Sequence, residues 1–123
     1  MIAATIMTLL IMAFGGGGGD LLPKDFNKRV KAEITDKQVR KEVDALTKQI
    51  NKDYAEYSKD VEALAKEELT LNSNYDAERR EFEALIDRLI RTREDTQRRL
   101  LDNRFKMVNH MTQEQWGAVF ADD

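Results

Sequence analysis

The stretch Val39 to Leu64, "VRKEVDALTKQINKDYAEYSKDVEAL", decides the fold. Its apolar residues fall at Val43, Leu46, Ile50, Tyr54, Tyr57, Val61 and Leu64, in steps of three and four. Such steps draw one stripe along a helix; a strand would alternate with period two. No Gly or Pro interrupts before Asn72. The pattern predicts a helix from Thr35 to about Leu69, too long and too narrowly apolar to stand alone. It needs a partner helix.

Working outward, the phrase "ITDKQ" (34–38) opens this helix, and a similar phrase, "MTQEQ" (111–115), sits near the end of the chain. A Thr followed three residues later by Gln is a capping box. The Thr oxygen accepts from a backbone N–H that no helical carbonyl reaches, and the Gln reaches back to the N–H of the cap. Thr35 with Gln38 and Thr112 with Gln115 are therefore read as two helix starts, with Ile34 as a hydrophobic staple. Between them "LNSNYD" reads as a turn, with Ser73 or Asn74 capping the next helix. That helix carries Phe82, Leu85, Ile86, Leu89 and Ile90. The window "RTREDTQRR", Arg91 to Arg99, then lacks any large apolar residue. Periodicity resumes at Leu100, Leu101, Phe105, Val108 and Met111, so a helix continues through the window or bends there. Thr112 opens a last short helix with Trp116, Val119 and Phe120 on its apolar face. Before Thr35, "LLPKDFNKRVKAE" reads as a short helix with Pro23 in its first turn.

The implied fold class is all-α: a long antiparallel helical hairpin with short flanking helices. The chain has 123 residues, 35% of them charged, and no cysteine. A thin core in a small chain without disulfides points to coiled-coil-like association into a dimer or larger homo-oligomer. The net charge is −3 with signs interspersed, which argues against a nucleic-acid binder.

Residues 1–19 carry no charged side chain. The apolar run Met1 to Phe14 is shorter than the roughly 20 residues a spanning helix needs. With Gly15 to Gly19 it reads as a signal peptide or as an N-terminal membrane anchor, leaving 20–123 as the helical domain. No basic n-region stands before the run; on the signal-peptide reading it lies upstream of Met1.

Candidate chemistry is sparse. His110 is the sole histidine, without cysteine or acids at ligand spacing, and reads as a residue favoured by a helix C-terminus. Met107 and Met111 beside it read as core. No nucleophile–base set and no phosphate loop with its Lys-Ser/Thr is present, so no enzyme, cofactor or metal site is expected. Arg88, Arg91, Arg93, Arg98, Arg99 and Arg104 form the sharpest charge feature. They read either as a protein-binding face for acidic or unfolded segments, or as a solvated face paired with Glu94, Asp95 and Asp102. The aromatics Tyr54, Tyr57, Tyr75, Phe82, Phe105, Trp116 and Phe120 line a client surface on one reading and a core or dimer interface on the other.

The doubled phrase, 77 positions from Thr35 to Thr112, resembles the doubled Leu-Thr-x-x-Gln (LTxxQ) signature of the Spy/CpxP type of periplasmic stress proteins, with Ile34 and Met111 in place of Leu. "SNYDAERREFEALIDR" is similar to that family's central turn and charged helix, and "FKMVNHMTQEQWGAVF" to its last helix pair. The resemblance spans roughly residues 22 to 120. It implies a dimeric, cradle-like chaperone or envelope-stress adaptor that holds unfolded or partner protein without nucleotide. It implies a periplasmic place, soluble after cleavage or anchored in the inner membrane through residues 1–19. The slight net acidity departs from the positive charge expected of such a cradle, and the His-rich ends of the family's zinc-binding relatives are missing. A membrane-anchored accessory subunit of a larger complex is the alternative, and a metal-responsive sensor a weaker one.

Overall fold

The computed structural model describes residues 21–121; among them the regular secondary structure is all helical, joined by short turns, without strands. Four helices run in order: α1 (Phe26–Glu33), α2 (Lys37–Asn72), α3 (Arg79–Asn109) and α4 (Gln113–Val119). The two long helices, α2 and α3, pack together. The readings of residues 1–19 as signal or anchor lie outside the described residues. No helix among the described residues is long and apolar enough to cross a membrane.

The chain divides into two compact units. One contains the chain up to Asn51 together with Asn103 onward; the other is Lys52–Asp102. In the first, the core is Phe26, Val30 and Ile34 against Val43, Ile50, Met107 and Val119, all buried. Phe26 and Trp116 both pack on Phe120, with ring centroids 5.3 Å and 4.4 Å away. Burying several aromatic rings together gives a small unit a large share of its apolar area. Arg29 then locks α1 to α4. Its Nη1 donates to the carbonyl oxygens of Val119 (3.2 Å) and Ala121 (2.6 Å), which a helix C-terminus leaves unmade. Gln115 Nε2 donates to Glu33 O at 3.3 Å from the other end of α4.

In the second unit the buried residues are Asp53, Tyr57, Leu64 and Leu100. Arg88 Nη1 lies 2.7 Å from Glu67 Oε2, tying α3 to α2 at the surface. Asp53 is engaged rather than orphaned.

The local starts depart from expectation in three places. Helix α1 begins at Phe26, not at Pro23: Phe26 N–H donates to Pro23 O across a turn in which Asp25 is left-handed, φ 64°. Asp tolerates that conformation better than most residues. Helix α3 begins at Arg79, and neither Ser73 nor Asn74 caps it. Asn74 Oδ1 accepts from Asp76 N–H in an Asx turn, while Ser73 Oγ donates to Thr70 O at the end of α2. Glu81 supplies the missing acceptor, taking the Glu78 N–H at 2.8 Å. The third departure, at Thr35, bears on the candidate site. The window from Arg91 to Arg99 is continuous helix.

Candidate functional site

The two capping phrases are not the same device. At the C-terminal end both halves of the box form: Gln115 N–H donates to Thr112 Oγ1 at 3.1 Å, and Thr112 N–H donates to Gln115 Oε1 at 2.9 Å. At the N-terminal end the cap is Asp36, not Thr35. Asp36 Oδ1 accepts from Gln38 N–H (2.9 Å) and Val39 N–H (3.1 Å), and Asp36 O takes the first helical bond, from Arg40 N–H. A carboxylate next to a threonine wins the position because it brings a full negative charge to the positive end of the helix. Gln38 is thereby moved one place along and turns to Glu42, 3.2 Å away. Ile34, expected as a staple, is instead buried in the core below α1.

The candidate arginines separate. In the second unit, Arg88 is held by Glu67, and Arg91, Arg98 and Arg99 are exposed. At about 100° per residue these four fall on one side of α3. Asp95 and Asp102 share that side, at i,i+4 spacing from Arg91 and Arg98, so charges alternate along it. Arg93 points elsewhere. It is half-buried on the packed stripe, and its Nε is buried without a hydrogen-bond partner. Arg104 belongs to the first unit, where its guanidinium carbon sits 5.1 Å from the Phe105 ring centre and 5.2 Å from that of Trp116. Those distances suit cation–π attraction.

Of the seven aromatics, Tyr57 is buried, and Phe120 and Trp116 belong to the ring cluster on α4. Tyr75 and Phe105 remain exposed, at 100% and 58%. Leu69, Ile86, Leu101 and Val108 are exposed large apolar residues that sequence periodicity places on or near the packed stripe, or does not single out. Burial removes the Tyr57 hydroxyl from water and pushes its pKa up; the Arg93 charge opposes that shift. His110 Nδ1, just beyond the end of α3, lies 2.9 Å from Glu42 Oε2 on α2. Spacing along the chain carries no sign of that pair. Among the described residues no cluster of three or more His, Cys, Asp or Glu is arranged to hold a metal.

No protein-family model, curated protein or solved structure matches the chain.

Proposed function

We propose that this chain is a non-enzymatic, periplasmic helical protein of the Spy/CpxP type, which binds unfolded or partner protein. Its two long helices form an antiparallel hairpin that associates into a homodimer or larger assembly. Large apolar side chains left in water carry the reading: Leu69, Tyr75, Ile86, Leu101, Phe105 and Val108. Apolar surface that a chain does not use for its own core is what a holder of unfolded segments offers. The exposed arginines Arg91, Arg98 and Arg99 add contacts for acidic or polar stretches of a client, and Arg88 joins them where Glu67 releases it.

The test is light scattering from a chemically unfolded client diluted into buffer with the full chain. Suppression of scattering near stoichiometric amounts, weakened by Leu101→Ser with Phe105→Ser at unchanged helicity, is the expected result. Undiminished aggregation at large molar excess rejects the proposal.

A further inference from the structure

The small net charge conceals a separation. The unit that contains the chain up to Asn51 and from Asn103 on has ten Lys and Arg against six Asp and Glu among its described residues. The Lys52–Asp102 unit has ten against fourteen. Part of the positive excess gathers on one face at the start of α2. Lys37, Arg40, Lys41 and Lys48 share one open face of α2 with Asp44 and Ala45. By helical phase Lys37, Lys41 and Lys48 fall within about 40° of one another. All three are exposed, and none makes an ion pair among the described residues. Arg40 is partly committed, its Nε donating to Ile34 O at 3.1 Å.

Folding does not account for this face. No acid stands in the first turn of α2, and cations there oppose the positive end of the helix dipole, which Asp36 alone offsets. The face holds no aromatic residue, so it lacks the stacking groups with which proteins grip single-stranded nucleic acid. It is a shallow surface in which four cations outnumber one acid.

We propose that this face docks on an anionic lipid bilayer. Charge complementarity selects a polyanion, and the chain leading out of the same unit selects lipid. From residue 21 backward come Asp20, five glycines and the uncharged apolar run Met1 to Phe14. Apolar insertion is one signal for membrane attachment, and a polybasic patch is a second that strengthens it. Lysines held near anionic headgroups supply that signal, and it fades within a Debye length. The inference stands independently of client binding.

The experiment pellets the full chain with sucrose-loaded vesicles of phosphatidylcholine alone or of phosphatidylcholine with phosphatidylglycerol. The wild type is expected to partition about a hundredfold more strongly onto the anionic vesicles, as three lysines near the surface imply. That preference should vanish at high salt. The variant Lys37→Gln/Lys41→Gln/Lys48→Gln, checked for helicity by circular dichroism, should lose the preference and keep the wild-type level on neutral vesicles. Equal partition of the wild type onto both vesicles overturns the proposal, as does a triple variant that keeps the whole preference. Should the variant misfold, a wild-type preference indifferent to salt overturns it as well. Binding of polyglutamate by these lysines, with no preference between vesicles, would assign the face to an acidic protein instead and equally overturn the proposal.

Discussion

Asp36 and Thr112 show how much a single acceptor atom decides. Each satisfies N–H groups that a helix start leaves open, and each loss leaves such a group to water or unpaired. Asp36→Ala and Thr112→Ala should each destabilise the fold by about 1 kcal/mol, read as a lower urea midpoint at unchanged slope. Thr35→Ala should leave the midpoint nearly unmoved, since Thr35 is outside the cap. Tyr57 gives a pH dependence with a definite sign. Its folded pKa stands above the unfolded value, so the native state resists losing the phenol proton. The stability it contributes is complete below about pH 10, the unfolded phenol range, and is lost as pH climbs from there through the folded pKa. In alkaline titration followed by ultraviolet absorbance, Tyr57 should ionise above the ordinary phenol range. Tyr57→Phe should hold its helical signal to higher pH than the wild type.

At the scale of elements, α2 and α3 are long helices stitched together by a narrow stripe with a polar middle. The stripe on α2 is displaced by one residue in two places from the apolar reading: Thr47 and Asp53 are buried, while Leu46 and Tyr54 are half-exposed. Thr47 is accommodated because its hydroxyl donates to Val43 O at 2.9 Å within its own helix. On α3 the gap without large apolar residues is filled by half-buried Thr92, Arg93, Thr96 and Gln97, with Thr96 Oγ1 donating to Thr92 O at 2.9 Å. That explains why the helix runs on without an apolar stripe there: the polar side chains lie along the packed side and part of them satisfy themselves on the helix. Arg93 is the exception. Its buried Nε lacks a partner, so Arg93→Met should leave stability unchanged or raise it by about 1 kcal/mol, measured by urea unfolding. Met107, 1% exposed near the end of α3, is the opposite case. Met107→Ala should cost about 2–5 kcal/mol in the same measurement.

For the whole molecule, the core is thin. Ten buried apolar side chains serve 101 described residues, so association is the natural route to further burial. If the chain assembles as proposed, its thermal midpoint should rise with protein concentration, as linked folding and association require. A midpoint constant over a wide dilution series would leave the unit standing as a monomer. The charge separation between the two units is a second property of the whole. It is invisible in the net charge of −3 and becomes visible when the chain is divided as it folds.

Among the described residues the amino-acid sequence by itself determined the order of the helices, the break near Ser73 and the capping box at Thr112. These are legible because helix formation is governed by neighbours three and four residues away, and by caps that act within one turn. Tertiary structure alone decided which apolar side chains stayed in water. It also decided that Arg93 would sit on the packed stripe and Arg104 against two rings. The pairing of His110 with Glu42 and the clamp of Arg29 on α4 belong to the same class. Each joins residues far apart in the chain, Arg29 and Val119 being 90 positions apart, and no local periodicity encodes which distant surface a side chain will meet.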